Sequence, residues 1–154
     1  GVSAGIVMGA VGYMLYTLGL MGVSGVKLNA EMVLPPELLD SAVMVWTSGM
    51  LVHMLLSSIF AIIFVFAYEM FVGFNNRVPF KSPVLWGLMY GVVLFVFNTG
   101  IMAPMMELHK PFWAMPAVGF IFSLGVRLLF GGLLAFFASR WAISKDSETA
   151  TMGA

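Results

Sequence analysis

Apolar residues run through this chain in long blocks separated by short polar clusters. A helix that crosses a bilayer needs about 20 mostly apolar residues at a rise of about 1.5 Å each. Residues 2–23, 41–68, 83–101 and 116–143 meet that length. Ser82 ahead of Pro83 marks a helix start, because a hydroxyl accepts from an orphan N–H and proline at the first helical position has none to satisfy. Pro116 opens the last block in the same way. The links collect the polar residues: Lys27, Glu31, Pro35, Pro36, Glu37 and Asp40 in the first, Asn75, Asn76, Arg77 and Lys81 in the second, Glu107, His109, Lys110 and Pro111 in the third. The expected fold is all-α, an integral membrane four-helix bundle forming one domain over residues 1–143, with a flexible polar tail over 144–154.

Composition agrees with that pattern. Hydrophobic residues make up 61% of the chain and charged residues 9%, with a mean hydropathy of +1.02, well outside the range of water-soluble domains. Net charge is zero, so no basic field exists to hold nucleic acid, and no nucleic-acid partner is expected. The absence of cysteine excludes disulfides, thiolate metal sites and cysteine nucleophiles. The chain starts at Gly1 inside an apolar run, so a processed or longer natural N-terminus is expected. Arg77, Lys81, Arg140 and Lys145 fall on one side of the expected bundle, and Lys27 and Lys110 on the other. The positive-inside rule then puts both termini in the cytoplasm of a prokaryotic inner membrane. Trp46, Phe112 and Trp113 would lie near the outer boundary, and Tyr68, Trp86, Tyr90 and Trp141 near the inner one.

Small residues repeat within the blocks. Gly5, Gly9, Gly12 and Tyr16 share a spacing with Gly87, Gly91, Leu94 and Asn98; Gly49, His53, Ser57 and Ala61 share one with Ser123, Arg127, Gly131 and Ala135. The chain therefore reads as a duplicated two-helix hairpin whose halves keep the same orientation. Helices in lipid gain nothing hydrophobic by associating, so Gly5, Gly9, Gly87, Gly91, Gly131 and Ala135 are expected to form packing seams where backbones approach closely. With these stripes, the Gly49, His53, Ser57 run, the Met102 to Met105 punctuation around Pro104, and the glycine-rich stretch from Phe130 to Leu133, most of the chain resembles small prokaryotic four-helix inner-membrane proteins of the YagU kind. The resemblance implies a four-helix membrane fold and carries no activity with it; Arg127 departs from the histidine or neutral residue expected there.

Arg127 is the most informative residue. It sits roughly 16 Å into its helix, near the bilayer midplane, where a charge costs on the order of 3 kcal/mol. Its stripe with Ser123, Gly131 and Ala135 turns it toward protein, and His53 occupies matching depth. Asp40, Glu69 and Glu107 all belong near helix ends. Arg127 must then be satisfied by Asn98, Tyr16, Ser57, backbone carbonyls, a bound anion or a carboxylate of another subunit. Paired carboxylates, a Ser/His/Asp set at one depth and phosphate-cradling loops are absent from the sequence, so no enzyme activity is expected.

Three functions follow in order. The first is a non-catalytic accessory or scaffold subunit of a larger membrane complex, such as a respiratory or photosynthetic one, with lipids and other membrane subunits as partners. The alternative is a small transport or ligand-binding protein whose pocket is lined by Tyr16, His53, Asn98 and Arg127, with Ser57 beside them. The third is a copper-handling protein using Met102, Met105, Met106 and His109, since thioethers and imidazole suit Cu(I). Apart from lipid and this copper candidate, no cofactor is expected.

Overall fold

In the computed structural model, which describes residues 1–22, 24–70, 82–107 and 110–152 and side chains up to residue 139, every regular element among the described residues is helical. Helix α1 is Val2–Thr17, α2 is Gly25–Glu31, α3 is Ala42–Tyr68, α4 is Pro83–Met105 and α5 is Ala117–Met152. Three of them are long and apolar enough to cross a membrane: α3, α4 and, within α5, Ala117–Ser139. Ser41 caps α3 by accepting from the Met44 N–H at 3.4 Å, and Pro83 takes the first turn of α4. The helix of α5 continues to Met152, into the segment expected to be a flexible polar tail.

Two elements depart from the sequence reading. A single crossing over 2–23 was expected, yet α1 has 16 residues, about 24 Å against a hydrocarbon core of about 30 Å. Its end is set by Gly19, whose φ of +72° lies in the left-handed region that a side chain disfavours, while Leu20 and Met21 N–H both turn back to the Leu15 carbonyl. The chain then folds back as α2, a helix where a link was expected. Buried Ser24 caps it, accepting from the Lys27 N–H at 3.0 Å.

The second departure is at Pro104, expected to interrupt the third helix beyond residue 101. The helix instead runs through it to Met105, with a π-helical stretch at Val96–Met102. Pro104 offers no N–H to the Gly100 carbonyl, and its ring crowds that oxygen; a wider turn accommodates both.

Glycine decides how the helices approach one another. A Cβ on Gly131 would overlap the Gly87 carbonyl, one on Gly87 would overlap the Gly131 carbonyl and crowd Ala135, and one on Gly91 would collide with the backbone at Arg127. Along α1 and α3, Gly5 faces Ser57 and Gly9 faces Met50 and His53; Gly49 receives the Val26 carbonyl of α2. The opposite face of α3 presents Leu51, Leu55, Ile62 and Phe66, all exposed. Between the two helix pairs, Phe64, Leu94, Phe130 and Leu134 fill a core closed by Ala4, Ala61 and Ala135. The Tyr90 hydroxyl donates to the Phe60 carbonyl at 2.7 Å and ties α4 to α3.

The seam makes a direct prediction. Gly131→Val forces two backbones apart and should cost on the order of 1–3 kcal/mol, seen as a lower melting temperature in detergent. Gly125→Ala, where an added Cβ meets nothing within 4 Å, should leave it unchanged.

Candidate functional site

Four-residue spacing on α3 puts Gly49, His53 and Ser57 on one face, and the same spacing on α5 puts Ser123 and Arg127 on one face. These faces, with Asn98 and Thr99 from the π-helical stretch of α4, border a cavity of about 400 Å³. The core residues Leu94 and Phe130 lie at its floor, and it extends from there toward the end of the bundle that carries α2. Its wall is mostly apolar, with polar side chains contributed by α2, α3, α4 and α5.

Arg127 is partly buried. One guanidinium nitrogen, Nη1, donates to the Ser123 carbonyl at 3.1 Å, one turn back on its own helix, and the Phe95 ring lies 5.8 Å away in cation–π contact. Its Nε is buried and has no hydrogen-bond partner among the described residues. No carboxylate among the described residues pairs with it; the ion pair found there joins Lys27 to Glu31 at 4.0 Å.

His53 is 8% exposed. The Asn29 side-chain amide donates to its Nδ1 at 3.1 Å, which leaves the ring proton on Nε2. That nitrogen also lacks a partner among the described residues. Gly9 lets the ring sit close to α1, since a Cβ there would come within 3.0 Å of His53 Cδ2, while one on Gly25 of α2 would make ordinary contact with Cε1 at 3.6 Å. Two buried donors, Arg127 Nε and His53 Nε2, are thus left without acceptors on residues that border one cavity. A buried donor left unsatisfied costs about 1–3 kcal/mol; both nitrogens are closed to the cavity, which other atoms of the two side chains border.

The structure brings together Ser57, His53, Asn98 and Arg127 on the cavity wall and leaves Tyr16 out. The Tyr16 hydroxyl accepts from Lys27 Nζ at 3.4 Å, in a cluster with Glu31. Arg127 therefore does not draw on Tyr16, because α1 ends one residue later and the chain turns away. Gly5, Gly9, Gly87, Gly91, Gly131 and Ala135 all lie at helix contacts. Of the proposed copper ligands, Met102 and Met106 line the cavity, Met105 faces outward at 77% exposure, and His109 lies outside the described residues. Among the described residues, no group of three His, Cys, Asp or Glu side chains gathers to hold a metal.

Sequence reasoning missed Asn29, Thr99 and Phe95. Asn29 had a signal: Val26, Asn29 and Ala30 fall on one helical face immediately after a Ser24 cap, and all three are buried. Comparison with protein-family models, with curated proteins and with solved structures returns no match.

Asn29 can be tested by itself. Asn29→Leu strips His53 Nδ1 of its donor and should cost about 1–3 kcal/mol in a reversible unfolding titration in mixed micelles. An unchanged midpoint would mean that the amide contributes nothing there.

Proposed function

We propose that this chain is an integral membrane protein that binds a small ligand in the cavity between its two helix pairs. The observation carrying the reading is Arg127, a cation without a carboxylate partner among the described residues, on the wall of a cavity large enough for a ligand. Hydrocarbon outside the bundle cannot neutralise a guanidinium, and the chain supplies no carboxylate to Arg127 among its described residues.

The same reading takes α1 as a fourth crossing, accommodated by local thinning of the bilayer around a short helix. It also takes the halves as a duplication. Contact register supports this: Gly5 against Ser57 corresponds to Gly87 against Gly131, and Gly9 against His53 corresponds to Gly91 against the backbone of Arg127. The lysine and arginine distribution supports both termini in the cytoplasm of a prokaryotic inner membrane.

A second reading rests on the same arginine. An accessory subunit of a larger membrane complex would have Arg127 met by a carboxylate from a neighbouring chain. Native mass spectrometry after purification in mild detergent separates the two. The ligand reading expects a small-molecule adduct at near-stoichiometric occupancy, lost in Arg127→Leu with helix content unchanged. An adduct retained by that variant, or a bare wild-type monomer, contradicts it, and a bound polypeptide in place of the adduct favours the subunit reading.

A further inference from the structure

We infer that the cavity is built for an amphiphile with one anionic head, a carboxylate or a phosphate, held head-first at Arg127 with its apolar chain running toward the α2 end. This rests on the ligand-binding reading above and specifies the chemistry of the ligand.

The charge argument comes first. Arg127 borders the cavity as a cation with a single hydrogen bond to a protein acceptor, the Ser123 carbonyl, and with a buried Nε–H that has none among the described residues. His53, 8% exposed, borders the same cavity, with its Nε2 buried and without an acceptor among the described residues. Anionic oxygens accept from a guanidinium and cancel its charge; a neutral carbonyl accepts but leaves the charge uncompensated. A cationic ligand would add to it.

Shape and wall chemistry exclude a bare anion. A cavity of about 400 Å³ is far larger than a carboxylate or phosphate group, and its polar residues include His53 with its partner Asn29 and Arg127 with Ser123. From there to the α2 end the wall includes Met21, Met32, Met102, Met106 and Met115. Methionine is flexible and polarisable, and recurs where a surface must accommodate varied apolar shapes. These side chains come from α4 and from the segments that follow α1, α2 and α4 and precede α5, so they surround a chain from several sides. The methionines at 102 and 106 thereby acquire a use as apolar wall.

The test measures binding of tritiated dodecanoate by scintillation proximity to the full chain in maltoside micelles, with unlabelled competitors. Dodecyl phosphate should compete within about tenfold of dodecanoate, whereas dodecanol and acetate should each be weaker by more than about tenfold, ~1.4 kcal/mol. Whichever of dodecanoate and dodecyl phosphate competes better identifies the head. Arg127→Lys should keep the preference for the anion, and Arg127→Gln should lose it while still binding dodecanol. Dodecanol equal to dodecanoate on the wild-type protein overturns the anionic head and leaves the cavity reading standing. Acetate equal to dodecanoate overturns the amphiphile in favour of a free-anion site. If no chain-bearing probe binds, the proposal and the ligand-binding reading fall together. The wild-type arms decide the matter even if an Arg127 variant does not fold.

Discussion

A guanidinium at mid-depth among apolar helices is the constraint around which the structure is organised. Arg127 carries a charge that costs on the order of 3 kcal/mol in a hydrocarbon surround, so the helices must turn it inward and provide dipoles or rings. They do this with the Ser123 carbonyl and the Phe95 face. Those contacts exist because Gly91 lets α4 close onto the α5 backbone at Arg127 itself. A bulky residue at 91 would move Phe95 and the arginine apart together.

Tight closure at one end of the bundle also explains the opening at the other. Around Gly87, Gly131 and Ala135 the backbones touch, and the core of Phe64, Leu94, Phe130 and Leu134 fills the space between the helix pairs. Beyond this core, α2 enters against α3 and the π-helical stretch widens α4. The helix pairs then border a cavity with His53, Asn98 and Arg127 on its wall. Packing and site are consequences of one arrangement: glycine brings the helices together below the polar groups, and the wide turn before Pro104 and the turn at Gly19 separate the elements above them.

Much of this was legible from spacing. Long apolar runs mark α3, α4 and α5 because a helix in lipid can place apolar side chains on every face, so the pattern needs no amphipathic contrast. The four-residue stripes named the seam glycines, and the same arithmetic put Ser57, His53 and Arg127 on inward faces. Tyr16 failed this arithmetic because a stripe says which face a residue occupies and not where its helix stops. Gly19, a single residue with positive φ, ended α1 early and left Tyr16 beside Lys27. The fate of Pro104 was equally hidden, since proline can break a helix or be absorbed by a π turn and local sequence does not choose. The methionines show the same limit of spacing: it fits a ligand set, and it does not say that Met105 turns outward while Met102 and Met106 border the cavity.

The account stands on Arg127 being enclosed by protein and out of contact with acyl chains. Uniformly nitrogen-labelled protein in lipid nanodiscs, observed by NMR with dissolved oxygen as a paramagnetic probe of the hydrocarbon, measures this directly. The account predicts that the Arg127 Nε–H is relaxed far less than the backbone amides of Ile121 and Leu129, whose side chains are exposed on the same helix. Relaxation of the Arg127 signal as strong as theirs would contradict it.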